Sequence, residues 1–116
     1  MAVSDVEKVE ERLSALLDRY RPELVDGTIY GVPALVWPGV TGHDYFAALK
    51  RSTAKVGLYL IIADRYPDDV ALASETLRAR RTGRATFSFS TLDDDLEADL
   101  RALLDRLMER YRAEHT

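Results

Sequence analysis

Cysteine is absent from this sequence of 116 residues, and several kinds of chemistry are absent with it. Without cysteine the chain can form no disulfide, no thiolate metal site and no cysteine nucleophile. Basic residues are outnumbered by acidic ones, 16 against 20, which gives a formal net charge of −4. Nucleic-acid phosphates repel a net-negative chain unless it segregates a basic face, so we expect no nucleic-acid partner.

Long apolar runs are missing as well. The longest apolar run that is free of proline and charge covers residues 56–63, and it is far shorter than the ~20 residues that a membrane helix needs. The first residues, Met1 to Asp5, contain no basic stretch followed by an apolar run, which a secretory leader requires. The sequence therefore predicts a cytoplasmic protein with no membrane partner.

The remaining composition is that of an ordinary folded domain. Hydrophobic residues make up 47% of the chain and charged residues 31%, so the chain lacks the low hydrophobicity of disordered segments. A chain of this length buries about two-thirds of its unfolded surface, and it therefore needs no disulfide or metal to fold. Because no internal repeat or linker is visible, we expect residues 1–116 to form a single domain.

Apolar residues recur every three or four positions in two long segments, which is the period of a helix with one buried face. In the first segment, about residues 4–20, this stripe consists of Val6, Val9, Leu13, Leu16, Leu17 and Tyr20. In the last segment, about residues 93–113, it consists of Leu96, Leu100, Leu103, Leu104, Leu107, Met108 and Tyr111. A shorter helix is expected over residues 67–80, because Pro67 suits a first helical turn and Gly83 would end the helix.

The middle of the sequence favours strands. Four segments are expected to be extended: residues 33–37, 44–50, 56–62 and 84–90. The last of them alternates apolar and polar residues, so that one of its faces is buried. The connections between the first three are too short for a parallel crossover. The expected fold class is α+β, with a small antiparallel sheet of about four strands packed against N- and C-terminal helices and one further helix before the last strand.

Four short segments resemble, in the same order, the signatures of one bacterial family. Residues 28–35 (TIYGVPAL) are similar to its SYGMPAF motif, and residues 45–50 (YFAALK) are similar to its YFAAFK strand. Residues 56–59 (VGLY) are similar to IGLY, and residues 82–89 (TGRATFSF) are similar to SKGTIRF. The chain thus resembles the YdhG-like domains over most of its length.

The resemblance implies a frataxin-like arrangement of terminal helices on an antiparallel sheet. It also implies iron as a candidate cofactor, since one branch of the family is described as an intracellular iron chaperone. Frataxin-type proteins hold iron on an acidic ridge of hard oxygen ligands, and here Glu7, Glu10 and Glu11 are the matching candidates. Alternatively, these carboxylates stabilise the helix dipole, and the interleaved Lys8 and Arg12 dilute the negative field that an iron site would need.

Six further residues are candidates for binding a ligand. Aromatic side chains on a sheet face can line a small-molecule pocket, and arginines can bind a carboxylate or phosphate in bidentate fashion. The candidates are Tyr30, Trp37, Tyr45, Tyr59, Arg81 and Arg84. Alternatively, the aromatic residues belong to the core or the sheet surface, and the arginines cap the end of a helix.

The two histidines offer little catalytic chemistry. His43, beside Asp44, could act as a general base or a metal ligand, but its position after an expected hairpin loop favours an exposed loop residue. His115 lies close to the end of the sequence and is expected to be disordered. No Ser-His-Asp set can be assembled, so we do not expect an enzyme.

The sequence therefore predicts a non-enzymatic binding protein of the YdhG-like type, with an intracellular iron-chaperone role as its first specific form. The alternative is a small-ligand or protein-interaction module. That module would use the polar face of the last strand, Thr86, Ser88 and Ser90, together with the hairpin at Trp37. The partner is a small molecule or a protein, and both a monomer and a homodimer remain open.

Overall fold

Within residues 5–29, 31–40 and 44–116, which the computed structural model describes, the chain forms five helices and six strands. In chain order the elements are α1 (Asp5–Asp18), β1 (Val25–Ile29), β2 (Val32–Val36), β3 (Ala47–Arg51), β4 (Val56–Tyr59), α2 (Ile61–Arg65), α3 (Pro67–Ala71), α4 (Glu75–Arg78), β5 (Arg81–Gly83), β6 (Thr86–Phe89) and α5 (Asp94–His115). No helix in this part of the chain is both long enough and apolar enough to cross a bilayer.

The strands form one antiparallel sheet in the order β1-β2-β3-β4-β6-β5. β1 pairs with β2 along its whole length, whereas β2 and β3 pair only at Ala34–Ala48 and Leu35–Ala47. Pro33 comes next on β2, and it has no N–H with which to continue a ladder. The sheet therefore opens between β2 and β3.

The inner face of the sheet forms the core together with the helices. On β4 and β6 the inward side chains are Val56, Leu58, Phe87 and Phe89, and all are fully buried. The apolar stripe of α5, with the period of a helix, packs in the same cluster as these strand residues. Both expected terminal helices are present, and the α+β fold class is confirmed.

Polar contacts hold α1 and α5 side by side. The hydroxyl of Tyr20, just after α1, donates to Asp105 Oδ1 over 2.7 Å, and Arg12 Nη2 lies 2.7 Å from Asp94 Oδ1. Burial, together with the hydrogen bond to Asp105, raises the pKa of Tyr20. The hydroxyl therefore stays protonated and keeps its role as donor.

The expectation of about four strands is wrong, because β1 and β5 form in segments where no strand was expected. β1 contains Asp26 and Gly27, a pair typical of turns, yet it pairs along its whole length with β2. β5 lies where a helix was expected to end, and it pairs with β6 through an irregular register between Arg81 and Gly83. Pairing with a neighbouring strand outweighs local preference in both places.

Three expected strands are shorter than predicted, and the one expected over residues 84–90 is reduced to Thr86–Phe89. The strand over residues 56–62 ends at Tyr59, and Ile61 begins α2. A short apolar run does not distinguish a buried strand from a buried helix, so the end of this strand was not visible in the pattern. The strand over residues 44–50 begins at Ala47.

The helix expected over residues 67–80 is broken into α3 and α4. Ser74 begins the second helix, since its Oγ accepts a hydrogen bond from the Leu77 N–H over 3.1 Å. The N–H of Ser74 donates to Asp99 Oδ2 on α5 over 3.2 Å. A serine N-cap inside the segment therefore ends one helix and starts another.

Candidate functional site

The face of the sheet that points away from the helices, here called the outer face, carries a second apolar cluster. Its buried members are Ile29, Ala34, Tyr45 and Ala48, and Val32, Val36, Tyr59 and Ile61 pack against them. Among the described residues, Ile61 at the start of α2 is the only helical member of this cluster. The described helices thus bury the inner face and leave the outer face open.

Tyr59 lies at the centre of the outer face. In the strand register it stands between Ala48 on β3 and Thr86 on β6, and side chains in register share a face. Its ring leans over Gly57, because a Cβ built on Gly57 would lie 3.7 Å from the ring atoms Cε2 and Cζ. The ring therefore lies against the sheet and forms a half-buried aromatic platform.

The outer face becomes polar toward β6 and β5. Gly57 stands between Lys50 on β3 and Ser88 on β6. The Oγ of Ser88 and the Oγ1 of Thr82 lie 2.9 Å apart and share a hydrogen bond. Lys50 is exposed and adds a positive charge on the other side of Gly57. The outer face thus has an apolar centre and a polar rim, which is the usual anatomy of a protein interface.

Two of the six predicted ligand-binding residues meet in this cluster. Tyr45 is 8% exposed and belongs to its buried part, and Tyr59 packs against that part from the solvent side. Tyr30 lies outside the described residues. The structure therefore brings together Tyr45 and Tyr59, but not through the concave aromatic pocket that the sequence suggested.

Trp37 lies in a different place, beside the C-terminal end of α5. Its ring stacks on His115, with centroids 5.3 Å apart and an interplanar angle of 23°. Its backbone N–H donates to the hydroxyl oxygen of Tyr111 over 3.1 Å. Burial raises the pKa of Tyr111 to about 12, so this hydroxyl stays neutral. Trp37 is thus bound within the chain, away from the two tyrosines.

His115 makes two polar contacts that sequence reasoning missed. Its Nε2 lies 2.6 Å from Asp44 Oδ2, and its Nδ1 lies 2.7 Å from the carbonyl oxygen of Tyr111. Both partners are acceptors, so both ring nitrogens must carry hydrogen for both bonds to form. Burial lowers the pKa of His115, but the hydrogen bonds to Asp44 and Tyr111 outweigh burial and raise the pKa above its ordinary value.

The structure thus places His115 in α5 and against Asp44, whereas the sequence suggested a residue without fixed contacts. The local signal available in the sequence was the spacing of four residues between Tyr111 and His115, which places them on one face of a helix. No local sequence pattern indicated the contact between His115 and Asp44.

Arg81 and Arg84 lie at the turn between β5 and β6. The Nε of Arg81 donates to the carbonyl oxygens of Gly83 and Arg84 over 3.2 and 3.1 Å, and its Nη2 also donates to the Arg84 carbonyl. The side chain of Arg84 is exposed. Arg81 therefore stabilises its own turn, and Arg84 presents its guanidinium to solvent.

The three glutamates predicted as iron ligands lie along α1. Glu10 Oε1 contacts Arg51 Nη1 at 3.4 Å, and Glu7 and Glu11 are exposed. In the part of the chain that the structure describes, no three side chains of histidine, aspartate or glutamate are grouped closely enough to hold a metal ion. The acidic residues of α1 thus do not form a metal-binding cluster with their described neighbours.

His43, the alternative catalytic or metal-binding residue, lies outside the described residues. Comparison of the chain with models of protein families, with curated proteins and with solved structures finds no match. The resemblance to YdhG-like domains therefore stays a prediction from four sequence segments, and function must be argued from the geometry of the chain itself.

Proposed function

We propose that this chain is a non-enzymatic binding domain whose outer face docks another protein. The observation that carries the proposal is the apolar cluster around Tyr59, on a sheet face that the described helices leave open. Covering apolar surface removes it from water, which favours association. The helices already cover the inner face. A partner that binds the outer face therefore removes the most additional apolar surface from water.

The shape of the outer face favours a protein partner over a small-molecule ligand. Ala48 is on the open face, yet only 1% of it is exposed, and it belongs to the buried part of the cluster, against which larger side chains pack. The result is a surface with the half-buried Tyr59 at its centre, whereas small molecules bind in concave pockets. Tyrosine is also one of the residues that most often dominate the binding energy of protein interfaces.

The setting of this proposal is that of a YdhG-like domain in the cytoplasm of a bacterium. Its support is the four similar segments and the cysteine-free composition. The proposal contains no catalytic step and requires no cofactor.

The test is a quantitative capture experiment with matched variants. Wild-type protein, Tyr59→Ala and Leu72→Ala are immobilised, and the bacterial proteins that they retain are compared by mass spectrometry. Leu72 is 69% exposed, is the C-cap of α3 and does not belong to the outer-face cluster, so its variant controls for the loss of any exposed apolar side chain. We expect a set of proteins that Tyr59→Ala retains about tenfold less than the other two.

Purified partners are then titrated against the same three proteins by calorimetry. Sedimentation of the chain alone covers the case in which the partner is a second copy, since Tyr59→Ala would then dissociate the dimer. Equal retention by wild type and a folded Tyr59→Ala variant, with no change in sedimentation, would show that the outer face binds no protein.

A further inference from the structure

A second surface lies where the sheet opens between β2 and β3. There α1, β1, β2 and β3 enclose a cleft of about 250 Å³, here called the α1 cleft. Its apolar lining includes Leu17, Leu35, Ala47 and Leu49, and its polar lining consists of Glu10, Ser14, Asp18, Arg21 and Asp26. The cleft thus combines an apolar interior with an acidic rim.

One row of the rim follows directly from the sequence of α1. Glu10, Ser14 and Asp18 are spaced four residues apart, so they lie in line on one face of the helix. Leu17 lies beside this row and continues the apolar interior. A side chain that enters the cleft therefore meets carboxylates at its polar end and leucine along its length.

The charge of the rim selects a cation. Its charged members are Glu10, Asp18, Asp26 and Arg21, which sum to −2. Arg21 Nε lies 3.1 Å from Asp18 Oδ1, and Arg21 Nη2 lies 2.6 Å from Asp26 Oδ1. The hydrogen bond from Arg21 lowers the pKa of Asp26. The chain's own arginine thus shows that these carboxylates accept a guanidinium.

The rim carboxylates retain capacity for a second guanidinium. Asp18 and Asp26 are 64% and 78% exposed in their side chains, and a carboxylate offers about four acceptor positions. Glu10 contacts Arg51 only at 3.4 Å, which is long for a hydrogen bond between charged groups. A planar guanidinium can bind such oxygens in bidentate fashion, whereas an ammonium group cannot.

The open sheet indicates how the arginine would be delivered. β3 continues through Leu49 to Arg51, but its pairing with β2 stops at Ala48. Pro33 lies opposite this stretch on β2 and cannot donate a ladder hydrogen bond. An extended peptide can add to an open strand edge and place alternate side chains in neighbouring pockets.

We infer that the α1 cleft binds an extended segment of a partner protein that inserts an arginine side chain. The arginine stem packs on Leu17 and Leu49, and its guanidinium binds Asp18, while Glu10, about two helical turns away along α1, adds negative charge to the rim. Ala34 and Ala48 belong both to the cleft lining and to the outer-face cluster, but the rim carboxylates do not, so the variant Glu10→Gln with Asp18→Asn tests this site independently of Tyr59→Ala.

The probe is a fluorescent pentapeptide, Val-Thr-Arg-Val-Thr, measured against the same peptide with citrulline in place of arginine. Citrulline has the shape of arginine without its charge. We expect the arginine peptide to bind about tenfold more tightly, because charge-assisted bidentate hydrogen bonds are lost with citrulline. Backbone amide shifts in NMR spectra should concentrate at residues 14–18 and 49–51.

Three variants locate the site. Glu10→Gln with Asp18→Asn should weaken binding of the arginine peptide about tenfold, and Asp95→Asn, an exposed carboxylate on α5, should leave it unchanged. Arg21→Gln should strengthen binding, because it removes the internal cation that competes for Asp18 and Asp26. Equal affinity for the two peptides, amide shifts confined to other regions, or weaker binding to a folded Arg21→Gln variant would each overturn the inference.

Discussion

The imidazole of His115 and the carboxylate of Asp44 lie 2.6 Å apart, Nε2 to Oδ2, although 71 residues separate them in the sequence. The contact joins the C-terminal end of α5 to the segment that follows β2, and the Trp37 ring stacks on the same imidazole. Both ring nitrogens of His115 face oxygen acceptors, so the contact is complete only when the ring is protonated.

Stability should therefore depend on the protonation of His115. The folded-state pKa of His115 is raised above its ordinary value of 6.5, so the folded state binds the proton more tightly than the unfolded state does. The contribution is fully present below about pH 6.5 and is lost as the pH rises through the raised folded-state pKa. We expect a loss of about 1 kcal/mol, measured by urea unfolding on both sides of this range.

His115→Gln is the variant that tests this assignment. It should remove the pH-dependent part of the free energy of unfolding over the same range, and His43→Gln, which changes the other histidine, should preserve it. An unchanged pH profile in His115→Gln would show that another group causes the dependence.

Side chains of β6 alternate between the two faces of the sheet. Substitutions at neighbouring positions should therefore change the free energy of unfolding by very different amounts. Phe87 is fully buried on the inner face, and Ser88 lies on the outer face. Phe87→Ala should lower the free energy of unfolding by about 3–5 kcal/mol because it leaves a cavity. Ser88→Ala should change it by less than about 0.5 kcal/mol. Comparable losses of unfolding free energy in the two variants, measured by chemical denaturation, would contradict the assignment of these residues to opposite faces.

Gly31 follows β1 in the connection to β2, and its φ of 77° lies in the left-handed region. A Cβ at this position would meet no described atom within 4 Å, so the cost of Gly31→Ala comes from the backbone conformation. We expect a loss of about 1–2 kcal/mol in thermal unfolding. Gly83→Ala is the matched control, since its Cβ would make ordinary contacts with Thr86; a larger loss in Gly83→Ala would refute this explanation.

Iron titration distinguishes the chaperone hypothesis from the docking function proposed for the outer face. Because Glu10 contacts Arg51 and basic residues are interleaved along α1, we expect no saturable binding of Fe(II) to Glu7, Glu10 and Glu11. The measurement is anaerobic calorimetry of wild-type protein and of the triple Glu→Gln variant. Heat of binding that disappears in the variant would support the iron site instead.

Local sequence patterns predicted the parts of this fold that depend on residues close together in the chain. The stripes of α1 and α5 and the alternation of β6 were visible, because helical and extended chains repeat every 3.6 and 2 residues. The capping role of Ser74 was also a local signal, and it explains why the helix over residues 67–80 is broken. The residues of β1, by contrast, look like a turn until β2 is placed beside them.

The candidate site was less predictable than the fold. Tyr45 and Tyr59 were named as candidate ligand-binding residues; the structure places both in the outer-face cluster, and their binding role stays a prediction. Trp37 was grouped with them, but it packs beside α5 instead. A sequence pattern identifies aromatic residues on strands, but the face that each one occupies depends on register and on which helices cover the sheet.

The sequence by itself determined the α+β class, the two long amphipathic helices and the exclusion of cysteine chemistry, because these depend on composition and on periods a few residues long. Only the tertiary structure decided that the sheet has an open outer face, that β2 and β3 separate beyond Ala34, and that His115 meets Asp44. These features arise between residues that are distant in the chain, where packing of the whole molecule, and not local preference, determines which groups meet.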